Sequence, residues 1–327
     1  MLKRYENNPI LVPDPKHRYY SKKVYNSAVI FNDGIYHLFF RGVGDDWISR
    51  ILQATSHNGV NFKILERPVI YPEHSWEEKG CEDPRITYIN NRYWLSYTAF
   101  DGITARSALA SSTNLVNWQK HSLIFPHLTH PRREQLPSEW HKSAAIFPEK
   151  CGGKYLLFFG DNHIWSATSN DLINWQTNPT PVLNPRKGFF DSAYIEMGPT
   201  PIKTDKGWLI LYHGVDKFTQ DRTYRLGAAL VSIDNPKKVI WRCSKPILEP
   251  REDYESTGLV DILPGGFEAL SKISNDYIEE LAKKHQLPRT VFCCGAMKVN
   301  EAIKIYYGAC DTRICLATID LTTIFAS

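Results

Sequence analysis

A handful of polar stretches in this 327-residue chain carry residue types that could move a proton or grip a polar ligand. The densest is Gly80-Cys81-Glu82-Asp83-Pro84-Arg85, set just before the strand-like run Ile86-Thr87-Tyr88-Ile89. A carboxylate pair followed by Pro cannot continue a helix, because Pro fixes φ and lacks a backbone donor. The spacing therefore predicts a turn that presents Asp83 at a strand mouth, with Arg85 two residues on. A carboxyl held this way on a rigid scaffold is suited to general-acid work. Taken alone, the hexapeptide also fits an Asx-type turn with a surface Asp–Arg pair. Four further stretches place a polar group where a strand core would not need one: Asn26, Lys142, Glu196 and Asp311. Arg41, Asp161 and His213 follow directly after aromatic runs and could face the same place.

The elements that must position these groups form a repeat. Gly34-Ile35-Tyr36-His37-Leu38-Phe39-Phe40 is echoed by Asn91-Arg92-Tyr93-Trp94-Leu95, Gly153-Lys154-Tyr155-Leu156-Leu157, Gly207-Trp208-Leu209-Ile210-Leu211 and Ala302-Ile303-Lys304-Ile305-Tyr306. Each is a turn residue feeding an aromatic, β-branched strand. A second strand rich in small residues follows each one: 51–56, 105–112, 164–169, 224–231 and 313–318. Three of these end alike, in Ser56-His57-Asn58, Ser112-Thr113-Asn114 and Ser169-Asn170-Asp171. The period of roughly 50–60 residues is that of a four-stranded blade with a generous loop. The expectation is an all-β, five-bladed β-propeller forming one domain over residues 1–327. A longer final interval leaves room for a helical insertion at about 266–287, where Asp276–Lys284 has amphipathic spacing. In such a ring, blade mouths converge on one funnel, so residues distant in sequence can share a site.

Composition excludes several classes. Net charge is +4 on 39 basic and 35 acidic residues, which demands neither nucleic acid nor membrane as a partner. No apolar window reaches the ~18 residues of a membrane span, and the start lacks an apolar leader. Seven Cys without metal-ligand spacing point to reduced thiols and a cytoplasmic setting. No metal or cofactor is expected, and a homo-oligomer is possible.

Asn26-Ser27-Ala28, Glu82-Asp83-Pro84-Arg85, Phe147-Pro148-Glu149-Lys150, Gly198-Pro199-Thr200-Pro201, Tyr212-His213-Gly214 and Tyr306-Tyr307-Gly308-Ala309-Cys310-Asp311 occur in order. Together they resemble glycoside hydrolase family 130, the five-bladed β-mannoside phosphorylases and β-mannosidases, over roughly residues 8–320. The resemblance implies that Asp83 is the general acid of an inverting reaction, passing its proton through a hydroxyl of the bound mannose. It also implies that Asn26, Arg41, Tyr97, Asp101, His213 and Asp311 hold that sugar, with Arg85 and Lys142 beside them.

The family divides by whether phosphate or water attacks the anomeric carbon. A phosphate site needs converging cations, Arg above all. At the three positions where the phosphorylases of this family carry cations, this chain has Lys142, Gly160 and Tyr194, and Glu196 stands where they carry Gly. A carboxylate there repels a phosphate dianion, yet it is what an inverting hydrolase needs opposite its acid. Glu196 is therefore the expected base, with Asp161 the second candidate; a capping carboxylate or one paired with Lys142 also fits Glu196. The sequence points to an inverting β-mannosidase acting on mannose-containing oligosaccharides, β-1,2-linked ones foremost. The alternatives are a β-mannoside phosphorylase with its anion site rebuilt around Lys142, Arg132 or Arg133, and a propeller that binds mannosides without cleaving them.

Overall fold

The computed structural model describes residues 2–128, 141–217, 222–257 and 289–327. The expected helical insertion at 266–287 and the Arg132–Arg133 pair lie outside them. After β1 (Lys3–Arg4), the first unit is β2 (Lys23–Asn32), β3 (Ile35–Val43), β4 (Ser49–Ser56) and β5 (Lys63–Ile64). The second is β6 (Gly80–Ile89), β7 (Arg92–Phe100), β8 (Ala105–Ser112) and β9 (Gln119–Leu123). The third is β10 (Ala145–Ile146), β11 (Tyr155–Phe159), β12 (Trp165–Ser169) and β13 (Trp175–Thr177). In the fourth, β14 (Tyr194–Met197) and β15 (Ile202–Thr204) both pair with β16 (Gly207–Val215), which is followed by β17 (Thr223–Val231) and β18 (Val239–Arg242). The fifth is β19 (Arg289–Val299), β20 (Ala302–Ala309) and β21 (Arg313–Asp320), completed by β1, which returns to pair with β21. A short helix, α1 (Leu321–Phe325), follows.

Each unit is an antiparallel meander, and the five repeats of the sequence fall on the second and third strands of the five units. Short parallel contacts join units one to two (Ser49 with Gly80) and four to five (Thr223 with Arg289). The ring closes where β19 packs on β2. A Cβ on Gly295 would collide with the Ser27 carbonyl, and one on Gly308 would sit 2.5 Å from Asn26 Oδ1. Only glycine allows this approach.

The repeated Ser-x-Asn/Asp motif closes the same turn three times. Ser56, Ser112 and Ser169 accept from the backbone N–H of Gly59, Leu115 and Leu172 at 3.0, 2.9 and 2.9 Å. Asn58, Asn114 and Asp171 each accept from the two N–H groups that follow. Short side-chain acceptors take over backbone donors the turn would leave unpaired. The hydrophobic cores lie between units; Phe147 of the third, for example, meets Trp208 of the fourth edge-on at 5.1 Å.

Candidate active site

The first strands β2, β6 and β14 carry four of the site candidates, Asn26, Asp83, Arg85 and Glu196. Asp83 does not lie in a turn, as the Pro had suggested. It lies within β6, at a bulge where Asp83 and Pro84 are skipped between the pairs Glu82–Thr98 and Arg85–Ser96. Pro is tolerated there because a bulge residue needs no ladder donor. Asp83 has φ +50°, and Asn26, at the same step of the β2 bulge, has φ +49°. Ser143, one unit further on, has φ +60°. From these left-handed positions Asn26 reaches the Asp83 carboxylate and Ser143 the Glu196 carboxylate.

Around Asp83, Asn26 Nδ2 donates to Oδ1 at 2.9 Å and Arg41 Nη1 stands 3.5 Å from the same oxygen. Arg41 also pairs with Glu82 at 2.7 Å, donates to Ser49 Oγ at 2.8 Å and packs over the Tyr25 ring. Both of these Asp83 carboxylate contacts, from Asn26 and Arg41, fall on Oδ1.

Across the axis, Glu196 of β14 is 1% exposed. Its Oε1 accepts from Ser143 Oγ at 2.5 Å and lies 3.0 Å from Lys142 Nζ, while Oε2 accepts from the Tyr194 hydroxyl at 2.6 Å. Asp161 joins the cluster through a bridge to Glu196, with Tyr194 OH at 3.4 Å and Lys142 Nζ at 3.9 Å. Burial pushes the Glu196 carboxyl up, but Lys142, the hydroxyls of Ser143 and Tyr194, and Arg85 outweigh it, so it is held below the ordinary Glu range. Burial and the same carboxylates raise Tyr194 far above its usual range, so it remains a donor. Lys142, although burial opposes its charge, is held ionised by Glu196, Asp161 and Asp83. That last influence places Asp83 and the Glu196 cluster within one electrostatic neighbourhood.

His213, paired with Glu196 across β14 and β16, is fully buried and stacks on Phe292 at 3.8 Å. Its Nε2 accepts from the Cys293 backbone N–H at 2.8 Å, which leaves the proton on Nδ1. Nδ1 makes no hydrogen bond of good geometry among the described residues and has the Glu196 backbone as a neighbour. Burial, with the positive charge of Arg85, keeps the ring neutral. Asp311 has φ +51° in the hairpin after β20.

The structure gives three of the candidates partners within the protein. Arg85 is 2% exposed and donates to the carbonyls of Asp83, Met197 and Gly198 at 2.9, 2.7 and 2.6 Å, tying the second unit to the fourth. Tyr97 is a core residue whose hydroxyl donates to Glu77 at 2.8 Å, in a buried cluster with Lys120. Asp101 closes its own hairpin, accepting from the N–H groups of Ile103 and Thr104 and pairing with Arg106 at 2.8 Å. Lys142, expected at the sugar or anion, is turned onto Glu196. Reasoning from residues passed over Ser143, although its step in the repeat matches Asn26 and Asp83, and treated Tyr194 only as a missing cation. Among the described residues, no group of three or more His, Cys, Asp or Glu could hold a metal ion, and no helix is long and apolar enough to cross a membrane.

The chain has close relatives. Residues 2–267 match the family model of glycoside hydrolase family 130, described as β-1,4-mannooligosaccharide phosphorylase. A β-1,2-mannobiose phosphorylase of Thermoanaerobacter sp. is 36% identical, over 98% of this chain and 97% of its own length. A 1,2-β-oligomannan phosphorylase from the same source is 33% identical, over 99% and 98%. Among solved structures, one described as a glycoside hydrolase of the family that targets β-1,2 mannosidic linkages in Candida mannan superposes with TM-score 0.82 at 26% identity, covering 98% of this chain and 94% of that one. The β-1,2-mannobiose phosphorylase of Listeria innocua, in complex with β-1,2-mannobiose, superposes with TM-score 0.78 at 26% identity, covering 99% and 98%. With the motifs in order and the match spanning most of the sequence, the chain belongs to glycoside hydrolase family 130.

Proposed function

We propose that this chain cleaves β-mannosides, β-1,2-linked mannooligosaccharides foremost, by an inverting mechanism with Asp83 as general acid, Glu196 as base and water as acceptor. The observation that carries the choice of acceptor is the Lys142–Glu196 pair at 3.0 Å, with Asp161 0.9 Å further from the same ammonium (3.9 Å). One cation already faces two buried carboxylates. A phosphate dianion entering there would face two buried carboxylates at low dielectric. A water would meet an ionised carboxylate able to take its proton.

In the step so described, Asp83 Oδ2 releases its proton toward the glycosidic oxygen, directly or through a sugar hydroxyl, as the C1–O bond breaks. The water oxygen bonds to C1 from the opposite face, and its proton passes to Glu196. The products are mannose of inverted anomeric configuration and a shortened acceptor. Asn26 and Arg41 anchor Oδ1 of the acid.

A second reading is phosphorolysis, with phosphate as acceptor and mannose 1-phosphate as product. Kinship favours it over hydrolysis: the two relatives at 33% and 36% identity are both β-1,2-mannoside phosphorylases. Incubation with β-1,2-mannobiose, with and without inorganic phosphate, separates the two. Free mannose formed at an unchanged rate supports water as acceptor. Mannose 1-phosphate, formed only with phosphate and seen by phosphorus NMR, overturns it while leaving mannoside cleavage intact. Asp83→Asn should lower turnover by 10²–10⁴-fold in either case, the ordinary contribution of a positioned acid.

A further inference from the structure

Glu196 is gripped unevenly. Two donors, Ser143 Oγ and Lys142 Nζ, converge on Oε1, whereas one, Tyr194 OH, reaches Oε2. An ionised carboxylate has about four lone-pair directions, two on each oxygen. Oε1 is thus filled and Oε2 keeps one acceptor direction. Ser143 achieves its contact from a left-handed backbone, φ +60°, which a non-glycine residue adopts only when its surroundings hold it there. It is 1% exposed. Tyr194 is equally fixed: its ring meets Tyr224 edge-on at 6.0 Å, and its hydroxyl also lies 3.4 Å from Asp161.

Resting on the assignment of Glu196 as base, we propose that Ser143 and Tyr194 are positioning residues of the acceptor site, whose hydroxyls orient Glu196 so that Oε2 alone is open to the attacking water. Neither hydroxyl touches the sugar in this scheme; both act through the carboxylate. The pair differs from Lys142 in kind. The ammonium supplies charge without fixed direction, whereas two short hydroxyl contacts on different oxygens fix both the tilt and the rotation of the carboxylate plane. They also stabilise its ionised form, so their loss makes Glu196 easier to protonate. The other titratable and charged groups facing this carboxylate are Lys142 and Asp161 from the third unit, Arg85 and Asp83 from β6, His213 from β16, Tyr224 from β17 and Cys294 from β19. Each is left unchanged by the variants below.

The test is the pH dependence of kcat and KM on a β-1,2-mannooligosaccharide for Ser143→Gly, Tyr194→Phe and Glu196→Gln, with thermal midpoints alongside. Glycine suits φ +60°, so Ser143→Gly removes the hydroxyl without adding backbone strain. Both hydroxyl variants should lower kcat at least tenfold with KM changed less than threefold. Both should raise the acid limb of the kcat profile by about one pH unit, the tenfold change in proton affinity that loss of one hydrogen bond to an ionised group brings. Glu196→Gln should be inactive. If Glu196→Gln is inactive but both hydroxyl variants keep the wild-type acid limb, the positioning roles are wrong and the base stands. If Glu196→Gln retains turnover, the base itself is wrong and the positioning roles fall with it.

Discussion

Arg85 and Glu196 show how differently a buried charge can be used a few residues from the same funnel. Arg85 gives its N–H groups to three carbonyls, two of them in another unit. Arg85→Met should therefore leave three buried acceptors unpaired and cost about 3 kcal/mol or more, read as a fall in the denaturation midpoint. Glu196 instead keeps one acceptor direction for chemistry, and its pH behaviour follows from its surroundings. Its folded carboxyl titrates below the ordinary value of 4.5, because Lys142 and two hydroxyls overcome its burial. On the proposal that Glu196 is the base, its lowered pKa keeps it ionised as pH falls, so the acid limb of kcat should lie below pH 4.5 and move up when a donor is removed. A limb above 4.5 in the wild-type enzyme would show that another group, such as Asp161, sets it. Asp83 and Glu196 could be singled out in the sequence because carboxylates are conspicuous where a strand needs none. Tyr97 and Asp101 were assigned by resemblance alone, and local packing gives them other partners. Nothing in the residue type tells a core tyrosine from a ligand tyrosine.

At the scale of elements, the aromatic second strands and small-residue third strands could be read directly because their composition repeats. The first strands, which carry the site, could not. Their bulges at Asn26, Asp83 and Cys294 interrupt the two-residue period, and a Pro inside β6 looks like the end of a strand. Ser143 was hidden for the same reason: its hydroxyl reaches Glu196 from a left-handed backbone that its residue type does not announce. A second element-level device joins the chain ends of the ring. Glu255, fully buried after the fourth unit, accepts from Arg4 Nε and Nη2 at 2.8 and 2.9 Å and from Tyr307 at 2.7 Å. Arg251 and Glu252 add backbone N–H groups. Burial raises the Glu255 carboxyl, but these donors prevail and hold it below 4.5. A lowered folded pKa gives stability that is full above the unfolded value and lost as pH drops through the folded one. Glu255→Ala should cost about 3–5 kcal/mol at neutral pH, by leaving Arg4 without its partner. Its midpoint should also fall less steeply than wild type between pH 5 and 3. Equal slopes would show that Glu255 is not one of the groups behind acid sensitivity.

For the molecule as a whole, the question is how the five units are held together. Backbone contacts join neighbouring units at Ser49 with Gly80, Thr223 and Tyr224 with Arg289 and Thr290, Asp161 with Glu196, the Ser107 N–H with the His141 carbonyl at 2.8 Å and the Val24 N–H with the Thr312 carbonyl at 3.1 Å. Side chains add further bridges: Arg85 to the fourth unit, Thr87 Oγ1 to the Ile146 carbonyl at 2.8 Å and Thr200 Oγ1 to the Ile86 carbonyl at 2.9 Å. The N-terminal segment reinforces the closure made by β19 on β2. Strand β1 pairs with β21, Asn8 exchanges two hydrogen bonds with the Leu316 backbone at 2.9 and 2.8 Å, and Leu11 bridges to Ile314. A segment drawn from one end of the chain thus completes the unit built from the other, so that the fifth unit cannot unzip without releasing both. Removing residues 2–11 strips these contacts, the Arg4–Glu255 pair and the packing of Leu11 beneath Tyr20 and Val24. The truncated protein should unfold at least about 5 °C lower, at roughly 2 cal/mol/K of unfolding entropy per residue. Because β19 packs directly on β2, with Gly308 against Asn26, loosening the fifth unit should also free the side chain that anchors Asp83. The expected outcome is a loss of kcat at temperatures well below the lowered midpoint, measured on a β-1,2-mannooligosaccharide. Full activity in a destabilised truncation would show that the funnel's geometry is set within the first four units and not by closure of the ring.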